Sequence, residues 1–169
     1  MSEVYNLDIT QEVSRHFNEI LLNVSTNDEA SIVAKASDTL VKITDEHTET
    51  YVKFHLEILE NMVQMLTDEH WKMMEFEKNY IISVLQYLTE ENDIIPDNIP
   101  SVGLLDDCIM IEIVEEKLRN KIKAYNAFKS AAKVYSQDEN FSTRDWADIK
   151  KKELFSRIRN RRLRNSTNR

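Results

Sequence analysis

The sequence predicts an all-α protein: a single-domain helical bundle of five or six helices, with one ordered Pro/Gly corner and a basic C-terminal helix or arm. Three observations predict it. The 169 residues include one glycine and two prolines, far below the roughly one-tenth share these types usually hold together. All three fall between Pro96 and Gly103, so nearly all the irregular-backbone signal sits in one short segment. Elsewhere apolar residues recur at three- and four-residue spacing, the period of a helix with one buried face. A chain of this length is one ordinary domain, able to bury about two-thirds of its unfolded surface.

The elements follow in order. Residues 8–23 form a first helix on Ile9, Val13, Phe17 (or His16), Ile20 and Leu21, capped by Asp8 or Thr10. Ser25 to Glu29 breaks it and starts another: Thr26 or Asn27 accepts from the new helix's free amides, and Asp28 and Glu29 suit its positive end. Ile32, Val33, Ala36, Leu40 and Ile43 make the second apolar face. Residues 44–50 are polar, either an exposed stretch of one helix or a short joint. Val52, Leu56, Leu59, Val63 and Leu66 then alternate by four and three, widened by Ile58, Met62 and Met65. Five such positions span barely two heptads, so the stripe reads as a core-facing bundle helix, with a self-association seam as the alternative.

Thr67-Asp68-Glu69 predicts a further helix start, carrying Trp71, Met74, Ile81 (or Tyr80), Val84, Leu85 and Leu88 to about residue 91. Beyond the corner a long helix spans residues 102–136 on Leu105, Ile111, Val114, Leu118, Ile122, Tyr125, Ala132 and Tyr135. Ser142-Thr143-Arg144-Asp145 has the form of a capping box with Asp in place of Glu, which starts the last helix near Ser142. That helix keeps Trp146, Ile149 and Leu154 for packing.

The corner has its own chemistry. Pro96 forces Ile95 into an extended conformation, and Pro96-Asp97-Asn98 has turn character. Ile94, Ile95, Ile99, Val102, Leu104 and Leu105 are too apolar for a free loop and pin the segment to the core. Asp93, Asp97, Asp106 and Asp107 have two readings: helix-end and corner groups satisfying local amides and the helix dipole, or hard-oxygen ligands for Mg²⁺ or Ca²⁺. The pattern Asp93-x-x-Pro96-Asp97-x-Ile99-Pro100-x-x-Gly103-x-Leu105-Asp106-Asp107, preceded by the apolar run from Tyr80 to Leu88, resembles the signature of the YkvA-like domain-of-unknown-function family. The resemblance covers about residues 80–120. It implies a helical hairpin and no defined activity. The chain departs from the family at Glu90-Glu91-Asn92, where Ser-Pro is usual, and at Asn98, where an aromatic or aliphatic residue is usual.

Several chemistries lack their residues. A single glycine excludes phosphate-cradling glycine loops, and a single cysteine, Cys108, excludes an intrachain disulfide or a thiolate cluster. Cys108 reads as a small buried helix residue. None of His16, His47, His55 and His70 has Glu three residues before it, no two lie four apart, and there is no His-Glu-x-x-His, so the di-iron and zinc signatures are missing. His55 reads as a buried polar residue rather than a ligand. No nucleophile motif appears, so the sequence leans away from an enzyme and implies no cofactor. The first eight residues lack signal-peptide character and no apolar run approaches ~18 residues, so a cytoplasmic setting is expected.

Charge is divided unevenly. Residues 150–169 hold nine basic side chains (Lys150, Lys151, Lys152, Arg157, Arg159, Arg161, Arg162, Arg164 and Arg169) against Glu153 alone, while the preceding residues hold 13 basic against 29 acidic. An acidic helical body, 1–149, thus precedes a basic arm, 150–169. Guanidinium forks suit phosphate, so one expectation is contact with RNA or DNA phosphates, or a ribonucleoprotein, through Lys150, Lys151, Lys152, Arg157, Arg159, Arg161, Arg162 and Arg164. An anionic membrane surface, with Leu154, Phe155, Ile158 and Leu163 dipping into it, is a second. A solvated arm, or one folded back on the acidic body, is a third. A protein-protein adaptor or homo-oligomer built on the Val52 to Leu66 stripe, and a metal-dependent enzyme at the Asp corner, complete the alternatives.

Overall fold

A computed structural model describes residues 11–22, 28–46, 49–89, 104–135 and 141–167. Among these residues there are six α-helices and no strand: α1 (Gln11–Leu22), α2 (Glu29–Glu46), α3 (Thr50–Thr67), α4 (Glu75–Thr89), α5 (Leu105–Tyr135) and α6 (Thr143–Thr167). The all-α class expected from the scarcity of Gly and Pro is the class found. The chain divides into two compact units, the first comprising Met1–Thr67 and Met73–Ile122, the second Asp68–Lys72 and Lys123–Arg169.

In the first unit α4 is the central helix and packs against α1, α2 and α3. Its sequence shows why. Ile81, Ile82, Ser83, Val84 and Leu85 are buried in succession, and Tyr87 and Leu88 follow, so the helix has no solvent face along this run. Ser83 is tolerable there because its hydroxyl donates to the carbonyl of Asn79 at 2.6 Å. α2 packs most extensively on α4, and each of the two helices carries a small buried residue, Ala36 and Ser83. Phe17 of α1 meets Tyr87 edge to face, with centroids 5.9 Å apart.

The first half of α5 runs antiparallel to α4. Tyr87, near the end of α4, donates its hydroxyl to Asp106 Oδ2 at 2.9 Å, and Glu77, near its start, pairs with Lys121 at 3.0 Å. Met110, Ile111, Val114 and Leu118 carry the apolar face of this half into the core. On α3 the first part of the expected stripe faces inward, with Val52, Leu56 and Leu59 buried; beyond it Val63 and Leu66 are half-buried, and the buried positions are Met62 and Met65. Each such side chain contributes roughly 1.5–3 kcal/mol by leaving water.

Two boundaries differ from expectation. Thr67-Asp68-Glu69 ends a helix instead of starting one. Asp68 Oδ1 accepts from the His70 amide at 2.9 Å, a local turn that competes with helix formation, and residues 68–74 are non-helical. The new helix begins at Glu75, where Glu77 Oε2 reaches back to the Met74 amide at 2.8 Å and closes the first turn. Trp71 and Met74 therefore lie outside the helix that their spacing placed them on. The second difference concerns the expected caps Asp8, Thr10, Thr26 and Asn27, which lie outside the described residues; Asp28 Oδ1 accepts from the Ser31 amide at 3.3 Å.

The second unit is held by aromatic residues. Trp71 lies 5.4 Å from Tyr125, 5.1 Å from Phe128 and 5.8 Å from Trp146 between ring centroids, and Phe128 stacks on Phe141 at 5.6 Å. The short segment 68–72 is thus the wedge around which the end of α5 and the start of α6 assemble. Within the segment Trp71 alone is buried, its ring held in this cluster outside any helix.

Candidate functional site

The basic segment is positioned from its N-terminal end. Ser142 caps α6: its amide donates to Asp145 Oδ2 at 2.8 Å, and its Oγ accepts from the Asp145 amide at 3.4 Å. This is the capping box that the sequence predicts, with Asp145 in the acidic position. The bonds from Ser142 hold the Asp145 carboxyl below its usual range. Next to the cap, Thr143 donates both its amide and its hydroxyl to the carbonyl of His70, at 2.8 and 2.7 Å, and its Oγ1 accepts from the Lys72 amide at 3.0 Å. The helix is fixed where it starts.

From there α6 is continuous to Thr167, with no break between residues 149 and 150, where charge alone divides body from arm. From Lys150 to Arg161 every residue is exposed except the half-buried Glu153. Lys150 pairs with Glu153 at 3.0 Å on the helix surface, a contact worth little in solvent. Among the described residues no carboxylate pairs with Lys151, Lys152, Arg157, Arg159 or Arg161. The backbone of Arg162 and Arg164 continues the helix, and their side chains lie outside the described residues.

Leu154 departs from one of its two expectations. It is 56% exposed rather than packed, and Phe155 and Ile158 are exposed with it, at 59% and 40%. The aromatic cluster of this unit engages α6 at Trp146, about two turns earlier, and the helix then leaves it. Of the two sequence readings of Leu154, packing within the chain and exposure on the arm beside Phe155 and Ile158, the structure has the second.

A cavity of about 540 Å³ lies at the start of α6, lined by Glu69, His70, Lys72, Ser142, Thr143, Arg144 and Ala147. Its cations and the helix terminus would suit an anion, but three of the terminal amides are already engaged. Thr143 donates to His70, Asp145 to Ser142 Oγ and Trp146 to Ser142 O.

The acidic candidates lie in the first unit. Asp106 and Asp107 are buried in the first turn of α5, 2% and 3% exposed, rather than displayed in a corner. Asp93 and Asp97 lie outside the described residues, so the four carboxylates are not brought together within the part described. Among the described residues no group of three or more His, Cys, Asp or Glu side chains is arranged to hold a metal ion. Cys108 sits beside the two aspartates, buried and free. Burial, with Asp107, Asp106 and Glu112 adding like charge, pushes its thiol up to about 12, so it behaves as the small apolar residue expected.

His55 is buried as expected. Its Nδ1 lies 2.7 Å from the carbonyl of Tyr51; a carbonyl only accepts, so Nδ1 carries a proton. Its Nε2 faces Glu112 Oε2 at 3.6 Å, which joins α3 to α5. No sequence spacing signals this pairing, because its partners lie on separate helices. His16 and His70 are exposed, and His47 lies outside the described residues.

No protein-family model, curated protein or solved structure matches this chain. Of the positions that carry the YkvA-like resemblance, Leu105, Asp106 and Asp107 open α5, while Asp93, Pro96, Asp97, Ile99, Pro100 and Gly103 lie outside the described residues. No helix among the described residues is long and apolar enough to cross a membrane.

Proposed function

We propose that this chain is a non-enzymatic interaction module of the cytoplasm whose basic C-terminal helix contacts the phosphates of a nucleic acid or ribonucleoprotein. One observation carries the reading: on α6, Lys151, Lys152, Arg157, Arg159 and Arg161 are exposed along one continuous helix, with no carboxylate partner among the described residues. Cations that stabilised the fold would be paired or would cover the apolar cluster; these do neither. Guanidinium groups give forked donors that fit phosphate oxygens, and the cap at Ser142 and Thr143 holds the helix that displays them.

Cations surround α6 instead of flanking a single apolar face, which favours a polyanion over a lipid surface, where charged and apolar faces segregate. The self-association alternative is weakened, because Val52, Leu56 and Leu59 are used in the chain's own core.

The test is fluorescence anisotropy of labelled RNA and DNA with the full chain and with Arg157→Gln/Arg159→Gln/Arg161→Gln. Truncation at residue 149 is a poor choice, since it cuts α6 a turn after Trp146. Binding by the wild type that the triple variant loses, at unchanged helicity, supports the reading. Equal binding by both sinks it.

A further inference from the structure

The proposed phosphate contact leaves Phe155 without a role. A phenylalanine with 59% of its surface in water contributes little to the fold, and Trp146, Trp71, Tyr125, Phe128 and Phe141 make up the aromatic cluster of this unit without it. Its surroundings are specific. On a helix the residues three and four positions away are the neighbours on the same face. For Phe155 these are Lys151 and Lys152 on one side and Ile158 and Arg159 on the other, all exposed. One aromatic side chain is therefore bracketed by three cations along the helix axis, with exposed Ile158 as its apolar neighbour on the same face.

This is the arrangement that sequence-tolerant single-strand binders use: a π-face for a base, with cations placed for the phosphates before and after it. A duplex offers no such match, because its bases are stacked on one another and present only edges. We propose that α6 binds single-stranded nucleic acid, with an unpaired base stacking on Phe155 and flanking phosphates meeting Lys151, Lys152 and Arg159. The inference rests on the phosphate-binding reading and narrows it to a substrate class. One stacking residue provides a platform without edge recognition, so preference among base sequences is weak.

The experiment compares single-stranded RNA and DNA oligonucleotides, the blunt duplex of the same sequence, and vesicles containing anionic phospholipid. It uses the full chain and three variants: Phe155→Leu, Phe155→Tyr and Arg157→Gln/Arg159→Gln/Arg161→Gln. Phe155→Leu keeps an apolar side chain and removes the π-face; because the site is exposed, helicity and melting temperature stay unchanged. The expected result is tighter binding to single strands than to duplex. Phe155→Leu then loses about fivefold to a hundredfold on single strands, the range for one stacked base, Phe155→Tyr restores the affinity, and duplex binding is unaffected.

Single-strand affinity unaltered in Phe155→Leu, with loss only in the arginine variant, overturns stacking and leaves phosphate contact standing. Duplex binding as tight as single-strand binding also overturns it. If the wild type binds no oligonucleotide, or binds only vesicles, both readings fall.

Discussion

The carbonyl of His70 accepts two hydrogen bonds from Thr143, one from its amide and one from its hydroxyl, across 73 positions of sequence. The same hydroxyl oxygen accepts from the Lys72 amide, so one side chain ties segment 68–72 to the first residue of α6. Every cation proposed to meet phosphate is displayed from a helix that this contact anchors.

Thr143→Val tests the anchor. The variant keeps the β-branched shape and loses the hydroxyl's donor and acceptor roles. A cost of about 1 kcal/mol is expected for bonds at an exposed site, which lowers the melting temperature by about 2–4 °C in a chain of this size. An unchanged melting curve would show that the amide bond alone suffices.

Tyr125 donates its hydroxyl to Asp68 Oδ2 at 3.0 Å in the same unit. Burial, with the hydrogen bond and charge of Asp68 adding to it, raises the phenol above its ordinary 10.0. A raised value means that the folded state keeps a proton the unfolded chain gives up. Its contribution is therefore complete below pH 10 and lost as pH climbs through the raised value. Tyr125→Phe should be less stable at neutral pH by about 1–2 kcal/mol. It should also show a shallower loss of stability between pH 10 and 12 than the wild type in chemical denaturation.

Glu115 shifts in the same sense, but at acidic pH. Burial raises its carboxyl above 4.5 and Glu112 adds to the rise, while His55 and Arg119 oppose it. The folded state therefore holds this proton more firmly than the unfolded chain. That favourable contribution exists below pH 4.5 and disappears as pH rises through the raised value, leaving an ionised group at a cost near neutrality. Glu115→Gln should be more stable than the wild type at pH 7, with the advantage vanishing by pH 4. An advantage of equal size at both values would contradict this account.

Cys108 is expected to be chemically silent. Burial and three neighbouring carboxylates keep its thiol protonated up to about 12, and the thiolate is the reactive form. In the folded chain a thiol-specific disulfide reagent at pH 8 should react with it only as fast as the protein opens. In denaturant, reaction should be complete within the mixing time of an exposed thiol.

The helical pattern was legible wherever one face of a helix decides the outcome. Leu56, Leu59, Ile111, Val114 and Leu118 were placed in the core by spacing alone, and they are buried. The start of α6 was legible too, because a capping box is local chemistry between Ser142 and Asp145. Trp71 was misplaced because its position is set by tertiary demand: the aromatic cluster of Tyr125, Phe128 and Trp146 needs it in a turn. The burial of Asp106 went unseen for the same reason, since Tyr87, which donates to its Oδ2, lies on another helix. Cations on α6 could be counted from composition, but the exposure of Phe155 beside them depends on where the aromatic cluster ends.

The salt dependence of oligonucleotide affinity tests the central claim most directly. Each phosphate neutralised contributes about 0.7 to the slope of log affinity against log salt for a single strand. The account predicts a steep negative slope for the full chain, made shallower by about 0.7 for each of Arg157, Arg159 and Arg161 that is replaced by Gln and was in contact. A flat slope, or the same slope in the wild type and the triple variant, would contradict it.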